Sequence, residues 1–566
     1  MDTLEHLEIE LPARGLTGNA CFFIVAAALI AVLPMVLFGN PRGHDFDLQI
    51  PGWLEAEQQL AQGILFPHWI SGANHGFGAP FFIFYPPLSR TIGATLGLVL
   101  PWKMVPGVYV WLVLVIAGVA MWKCAVEWLQ PRDALIASVL YATNPYLLLT
   151  VYKRSDYAEL LASAFFPLLI WGGIRVAHGS AKAILFLSVI FGAIWITDLP
   201  AAVIATYTLA GLFLLSAVLL RSLRPLFYGA VAILAGFGII AFFLLPAAWE
   251  RQWVNIGQAI KFEWAPEHNF LFSNSNVPQY VTFNRGLSSF ALLVMIVTAV
   301  AAVLERHLKQ HAPQDWRLLT ILGALSAFMM LPPSLILYRI LPELRFVQFP
   351  WRWLSSLCVV YAVLTASAMA RANRKWLVWT ATALMVASVG AIVVRTTWWD
   401  SGNRHLRELL ASMPSELENN GATWSSPLGS QPSKLGKAAP LVAFSEPDGE
   451  SFERPLQIKV ERWAPELKVF SVDAPRPLLV RIKLLTYPAW HARLNGTPAP
   501  IATDSNTGQM LLAVPAGLSK IEIKFARTWD RKLGILVSLT TVLAIFLASW
   551  LKLDRMPVDS SEFRTT

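Results

Sequence analysis

Blocks of about 20 apolar residues recur along most of the chain, and this feature constrains the fold more than any other. A helix of about 20 residues crosses a hydrocarbon core of about 30 Å. Hydrophobic residues make up 55% of the 566 residues and charged residues only 14%, whereas soluble domains carry about 25% charged residues. The chain is therefore not a soluble domain, and the pattern predicts a polytopic α-helical membrane protein.

About twelve segments are predicted as membrane spans, which leaves over half of the chain for loops and one further domain. Residues 86–101 are also apolar, but prolines flank them, so we interpret them as a short re-entrant or interfacial helix, with a true span as the alternative. The twelve predicted spans are residues 17–38, 104–126, 133–150, 159–177, 182–198, 200–220, 226–247, 287–304, 317–341, 353–371, 375–395 and 531–551.

Basic residues in short connectors set the predicted orientation. The positive-inside rule places these connectors in the cytoplasm, and alternation then places both termini there. The net charge of +9 is explained by topology, so no nucleic-acid partner is predicted. The first apolar segment lacks a cleavage site and is predicted to be an anchor. The basic connector residues are Arg221, Arg224, Arg306, Lys309, Arg317, Arg371, Arg374 and Lys375.

Residues 396–529 are predicted to form the one sizeable domain outside the membrane. Residues up to about 440 are predicted to be loop, and period-two alternation from 456 onward predicts short strands and a small antiparallel β-sandwich from about 450. Asn495-Gly496 predicts a hairpin turn. The predicted organisation is thus a membrane domain (1–395) with a long first loop (39–103), the extracytoplasmic region (396–529), and a final span with a cytoplasmic tail (530–566).

The first loop carries the most informative acidic residues. Asp45 lies a few residues beyond the first span and is flanked by His44 and Asp47, and these three are the predicted catalytic residues. A carboxylate there could act as the general base when a group is transferred to a hydroxyl. The clustered acids could instead hold Mg²⁺ or Mn²⁺, or they could be helix-capping residues of a solvated loop. The sequence leaves these three alternatives open.

Further charged residues fall on the same predicted face, between other spans. Ionisable groups at membrane depth usually face a cavity or water, so these residues predict a polar cleft. Arginine suits a phosphate because it binds in a bidentate manner, whereas an interfacial anchor or an internal salt bridge is the alternative for both arginines. The predicted substrate-binding residues are Arg154, Asp156, Glu159, Gln348 and Arg352.

Several stretches resemble a bacterial family, the 6-pyruvoyl-tetrahydropterin synthase-related membrane proteins. None of these residues indicates pterin chemistry. The stretches that carry the resemblance are Gly43-His44-Asp45, 63–69 (GILFPHW), Gly76-Phe77-Gly78, 81–88 (FFIFYPPL), 141–146 (YATNPY), 152–160 (YKRSDYAEL), Pro167-Leu168, 348–353 (QFPWRW), and Tyr487-Pro488-Ala489-Trp490 with Asn495-Gly496.

That family is similar in layout to the GT-C glycosyltransferases, which use polyprenyl-phosphate sugars. The resemblance implies a catalytic role for Asp45 and phosphate contacts for Arg154 and Arg352. The chain departs from the wider pattern at Gln49, where a histidine usually follows the aspartate, and at Asn495, where Asp-Gly is usual. The first departure weakens a histidine-dependent metal or proton-relay role.

Two functions are consistent with the sequence. The leading hypothesis is a multi-pass glycosyltransferase of the bacterial inner membrane that moves a sugar from a polyprenyl phosphate to an envelope glycan, lipid or protein on the outer face. In this hypothesis Asp45 is the base, and Asp47 or Glu159 supports it or holds a metal. The alternative is a non-catalytic membrane protein that flips, carries or scaffolds envelope lipids.

Overall fold

The fold is that of a polytopic helical membrane protein, as predicted. The computed structural model describes residues 16–260, 264–273, 278–308, 313–371, 387, 390–399, 425–436, 438–445 and 457–550. Within these ranges seven helices are long and apolar enough to cross a membrane: Gly18–Phe38, Val105–Ala125, Pro131–Arg154, Tyr157–Ala177, Leu199–Leu219, Val281–Glu305 and Pro350–Ala370.

Two of the predicted spans are sharply bent. The first bends at Ile240, just after Gly236 and Gly238, residues that weaken a helix. The second bends at Pro332-Pro333, because proline lacks the N–H group that would continue the helix. The sequence analysis treated both as single spans. The two bent pairs are Arg224–Ile239 with Ala241–Trp253, at 79°, and Gln314–Met329 with Pro332–Ile340, at 88°.

Seven to nine candidate spans are therefore present in the described part of the chain, against about twelve predicted. Helix Ala181–Trp195 has 15 residues, or about 22 Å, which is short for a crossing. Residues 375–395 lie mostly outside the described residues, and helix Trp529–Trp550 coincides with the last predicted span. Helix Pro87–Val99 has 13 residues and packs against helix Phe46–Ala61, which fits the short-helix interpretation.

The most buried helices form the centre of the bundle. The share of buried residues is 83% in Pro131–Arg154 and in Pro350–Ala370 and 78% in Tyr157–Ala177, but only 28% in Gly18–Phe38 and 33% in Val281–Glu305. Exposed apolar side chains on the last two helices suit contact with lipid. The three central helices, or the turns at their ends, supply most of the charged residues described below.

The C-terminal region forms the predicted β-sandwich from two antiparallel sheets. Buried side chains alternate along Leu478–Leu485, and Val480 and Ile482 of one sheet share a core with Phe470 and Ile521 of the other. The first sheet has the order Val442–Ser445, Leu478–Leu485, Gln509–Val514, Ile501–Thr503. The second has the order Gln457–Ala464, Leu467–Ala474, Gly517–Phe525, Trp490–Leu494, Thr497–Ala499.

Two details of the sandwich bear on the sequence predictions. Its first strand, Val442–Ser445, precedes the predicted start at about 450. Asn495 and Gly496 have φ angles of 49° and 84° and join Leu494 to Thr497, so the predicted hairpin turn is present. Two positive φ angles at the turn are what a tight two-residue hairpin requires.

The sandwich packs directly on the first loop. Trp69 and Phe77 belong to the same apolar core as the sandwich residues. The Trp69 ring lies 5.3 Å from that of Trp490, edge to face, and the Leu485 N–H donates to the Phe77 carbonyl oxygen at 3.1 Å. Two short antiparallel strands, Asn40–Pro41 and Trp398–Trp399, also pair with each other and hold the start of the first loop. The sandwich and the first loop thus lie at the same end of the bundle.

Candidate functional site

Asp45 is held by backbone contacts to a turn between two central helices. The segment Thr150–Arg154 forms a π-helical turn, a feature often found at functional sites, and Ser155 follows it with φ of 53°. The Asp45 N–H donates to the Arg154 carbonyl oxygen at 2.7 Å, and the His44 N–H donates to that of Lys153 at 3.2 Å. The first loop is therefore fixed to this turn at the residue that carries the candidate base.

Gly43 is required for this close approach. A β-carbon added to Gly43 would lie 2.6 Å from the Lys153 carbonyl oxygen and 2.6 Å from the Ser155 nitrogen. These are backbone atoms, which cannot rotate away as a side chain can. The Gly43 N–H also donates to Ser155 Oγ at 2.9 Å. A larger residue at position 43 would lift the first loop, and with it Asp45, from the turn.

Arg154 lies among three carboxylates. Its Nη2 donates to Asp45 Oδ2 at 2.7 Å and to Asp156 Oδ2 at 2.8 Å, and its Nη1 donates to Glu159 Oε2. The Arg352 Nε donates to the same Glu159 oxygen at 2.7 Å. We call these five residues the acid–arginine cluster. Three carboxylates and two guanidinium groups leave one formal negative charge when all are ionised.

Asp45 is the member of the cluster that reaches solvent. Its side chain is 26% exposed, whereas those of Arg154, Asp156 and Glu159 are 2%, 5% and 1% exposed. Asp45 Oδ2 accepts from Arg154, and no described residue donates a hydrogen bond to its Oδ1. One oxygen of a firmly held carboxylate is thus left for a further partner, which is the geometry that a general base needs.

Polar and aromatic neighbours fix the buried part of the cluster. Gln49 Nε2 donates to Asp156 Oδ1 at 3.0 Å and to Tyr85 Oη at 2.6 Å, so the residue that stands in place of the usual histidine orients a carboxylate. Gln348 Oε1 accepts from Arg352 Nη1 at 3.3 Å. The ring centre of Trp351 lies 4.9 Å from the Arg154 guanidinium carbon, a distance typical of a cation–π contact.

Burial raises the pKa of two acids in the turns. Burial raises the pKa of Asp156 well above its usual value, against the lowering effect of Arg154. Burial also raises the pKa of Asp198 to about 6. Each of the two caps a helix, Asp156 through the Glu159 N–H at 3.1 Å and Asp198 through the Ala201 N–H at 2.9 Å. The main role that the structure shows for both side chains is therefore helix capping.

Two predicted catalytic residues have other partners. Asp47 Oδ1 pairs with Arg42 Nη2 at 3.0 Å at the surface. His44 contacts the ring of Phe283 edge-on, with ring centres 4.7 Å apart. Its pKa is lowered, mainly because the surrounding protein removes water from the ring. The structure thus brings together the predicted residues Asp45, Arg154, Asp156, Glu159, Gln348 and Arg352, and it pairs Asp47 elsewhere.

The cluster does not fit a divalent cation. Among the residues that the structure describes, no group of three or more His, Cys, Asp or Glu side chains could hold a metal ion. The guanidinium of Arg154 lies where a cation bound by Asp45, Asp156 and Glu159 would lie, and Mg²⁺ or Mn²⁺ would have to displace it. We therefore derive no step through either metal.

One residue that the sequence analysis missed is Arg90. It is 2% exposed, and neither Nη atom has a hydrogen-bond partner among the described residues. Its guanidinium carbon lies 4.0 Å from the ring centre of Phe82, and burial lowers its pKa to about 9. A buried cation without a hydrogen-bonding partner is costly. In the sequence, the one indication of this residue's importance is that an arginine interrupts the otherwise apolar stretch 86–101.

Comparisons with known proteins identify a family. The model of a family described as 6-pyruvoyl-tetrahydropterin synthase related domain, membrane protein, matches residues 82–399. No curated protein matches the chain in sequence.

Solved structures that match do so at low similarity. ArnT from Cupriavidus metallidurans bound to undecaprenyl phosphate has 13% identity and a TM-score of 0.30, with 62% of this chain and 78% of that chain covered. The apo oligosaccharyltransferase of Archaeoglobus fulgidus has 15% identity and a TM-score of 0.36, with 72% and 56% covered. Overlaps of this size do not establish a common fold.

Proposed function

The chain belongs to the 6-pyruvoyl-tetrahydropterin synthase-related family of membrane proteins, and from this premise we propose that it is an integral membrane glycosyltransferase. It would move a sugar from a polyprenyl-phosphate donor to an envelope glycan, lipid or protein. Transfer would occur on the outer face of the bacterial inner membrane, where the first loop and the sandwich would both lie. The similarity in layout between this family and the GT-C glycosyltransferases is consistent with this proposal.

The observation that carries the proposal is the hydrogen bonding and exposure of the Asp45 carboxylate. This carboxylate has one oxygen bound to a buried guanidinium and the other without a donor among the described residues, at the partly exposed edge of the acid–arginine cluster. In the proposed reaction, the acceptor hydroxyl gives its proton to Asp45 Oδ1 while its oxygen bonds to the anomeric carbon. The bond from that carbon to the donor phosphate breaks, and its electron pair leaves with the phosphate.

Arg154 and Arg352 act in this proposal as positioning residues. The Arg154 guanidinium is bound to three carboxylates and is 2% exposed, so its charge is already balanced by the protein and its surface is largely covered. The family resemblance implied phosphate contacts for both arginines. Arg90 is the candidate that we propose instead for a phosphate contact, because its two Nη atoms have no hydrogen-bond partner among the described residues and a bound anion would supply one.

The proposal is tested by the products formed in cells. A strain that lacks the gene would carry the wild-type protein, the Asp45→Asn variant or an empty vector at matched expression, and its envelope glycans would be compared by mass spectrometry. We expect one glycosylated species to depend on the wild-type protein and to be absent with Asp45→Asn. Full restoration of that species by Asp45→Asn would contradict the proposed base and would favour the lipid-handling alternative.

A further inference from the structure

A cavity lies between the first loop and the sandwich, and none of its lining residues belongs to the acid–arginine cluster. It has a volume of about 290 Å³, near the lower end of the range of roughly 300–1,000 Å³ for small-molecule sites. Two tryptophans and two lysines line it together with two glycines of the first loop: Trp69, Trp463, Lys468, Lys483, Gly72 and Gly76. A cavity of this size suits one small ligand.

Lys468 is a buried cation in the wall of this cavity. The residue is 3% exposed, and its ammonium group donates to the carbonyl oxygens of Ala464 and Pro465. It lies 5.2 Å from the ring centre of Trp463 and 5.8 Å from that of Trp490. Burial lowers its pKa to about 8, so most of the population is protonated at pH 7.

Lys483 supplies a second positive charge. Its Nζ lies 5.7 Å from the ring centre of Phe77, and its end approaches Gly76, where an added β-carbon would lie 3.2 Å from Lys483 Cε. Neither Lys468 nor Lys483 forms an ion pair with a carboxylate of a described residue. The cavity therefore holds two ammonium groups whose charge is not neutralised by a direct partner.

The nearby acids are engaged elsewhere. Glu55 is 7% exposed and accepts from the Ser71 N–H at 2.8 Å and from Gln59 Nε2 at 3.0 Å, and burial raises its pKa. Glu466 accepts from the His68 N–H at 3.3 Å and contacts the His68 ring at 3.2 Å. Both acids lie near Lys468 without neutralising it directly.

We propose that this cavity binds one negatively charged sugar unit, with a carboxylate or phosphate group on the lysines and the apolar face of the ring on Trp463, which is partly exposed. Aromatic rings offer flat apolar surfaces, and the two ammonium groups supply the charge that an anionic substituent needs. This site is separate from Asp45 and does not depend on the proposed transfer reaction.

The test is direct binding to the full-length protein in detergent, followed by tryptophan fluorescence because Trp463 lines the cavity. The probes are methyl glucuronide, glucose 1-phosphate and the neutral methyl glucoside. We expect at least one anionic probe to bind at least ten times more tightly than the neutral one, with weaker binding at high salt. Tighter binding of the glucuronide would identify a carboxylated unit, and tighter binding of the phosphate a phosphorylated one.

Lys483→Gln is expected to raise the Kd of the anionic probe at least tenfold. The matched control is Lys520→Gln, which alters a sandwich lysine that is 60% exposed and should leave the Kd within twofold. If Lys483→Gln does not fold, Lys483→Met replaces it, because methionine keeps an apolar stem beside Phe77. Equal binding of charged and neutral probes, no binding of any probe, or an unchanged Kd in a folded Lys483 variant would each overturn the proposal.

Discussion

At the scale of single residues, exposure distinguishes the three carboxylates of the acid–arginine cluster. Asp156 and Glu159 are buried against the arginines, whereas Asp45 is 26% exposed. The sequence singled out these residues because ionisable groups at the ends of apolar segments are costly. The sequence does not show which acid pairs with which arginine, because the pairing depends on the π-helical turn that brings Arg154 and Asp45 together.

Asp198 gives a prediction about pH. Its pKa is about 6 in the folded protein, above the usual value of about 3.9 for an unfolded chain. Protonated Asp198 therefore makes its full contribution to the free energy of unfolding below about pH 4. This contribution, on the order of 3 kcal/mol, is lost as the pH rises through about 6. Asp198→Asn keeps a capping side chain without the ionisation.

The unfolding temperature of Asp198→Asn, measured in detergent, is thus expected to exceed that of the wild type by more at pH 7.5 than at pH 4.5. A difference between the two proteins that does not change with pH would show that Asp198 titrates alike in the folded and unfolded chains.

At the scale of elements, the predictions succeeded where periodicity alone decides structure. Long apolar runs gave helices, alternation gave the strands, and Asn495-Gly496 gave the turn. The bends at Ile240 and Pro332 were missed because a sequence window averages hydropathy and does not show how chain direction changes. The contact between the first loop and the π-helical turn was not predicted, because it is made by backbone atoms of residues that lie more than 100 positions apart in the sequence.

Gly43→Ala tests whether the contact between the first loop and the π-helical turn positions Asp45. The added methyl group would meet the backbone at Lys153 and Ser155 and displace Asp45, and a shift of about 1 Å can cost about 10²-fold in rate. We expect formation of the glycosylated product to fall by about that factor. The matched control is Gly52→Ala, where an added β-carbon meets no atom within 4 Å. Wild-type product formation with Gly43→Ala would refute the positioning argument.

At the scale of the whole molecule, a buried ion pair between helix Ala241–Glu250 and helix Trp529–Trp550 is hydrogen-bonded to a tyrosine of the sandwich. Glu250 is fully buried and binds Arg531 through two hydrogen bonds of 2.7 and 2.8 Å. The Tyr487 Oη donates to the same carboxylate at 2.5 Å. The sequence predicted a membrane domain and a sandwich but gave no sign of this contact, because its three members lie far apart along the chain.

Glu250→Gln would leave the Arg531 guanidinium buried and unpaired, which costs about 3–5 kcal/mol. We expect a clear fall in the unfolding temperature and faster proteolysis between the sandwich and the bundle. Glu343→Gln is the matched control, because Glu343 pairs with Arg251 in an exposed position, with side chains 51% and 55% exposed, and such pairs contribute about 0–1 kcal/mol. Equal effects of the two substitutions would contradict this assignment.

The orientation of the whole molecule can be tested with a single cysteine. Thr497 is exposed in the hairpin of the sandwich, and Thr497→Cys would be made in a variant without Cys21, Cys124 and Cys358. We expect a membrane-impermeant thiol reagent to label this residue from outside the inner membrane. Labelling from the cytoplasmic side alone would place the first loop and Asp45 on the wrong face for the proposed donor.

The most direct test of the central claim compares two aspartates that lie two residues apart. Lipid extracts from cells with Asp45→Asn or Asp47→Asn would be analysed by mass spectrometry for polyprenyl-linked sugars, at matched expression and with unfolding temperatures that match the wild type. We predict that one lipid-linked sugar accumulates with Asp45→Asn while its product is lost, and that Asp47→Asn resembles the wild type. Donor levels that are unchanged with Asp45→Asn, or raised equally by both substitutions, would contradict a catalytic role for Asp45.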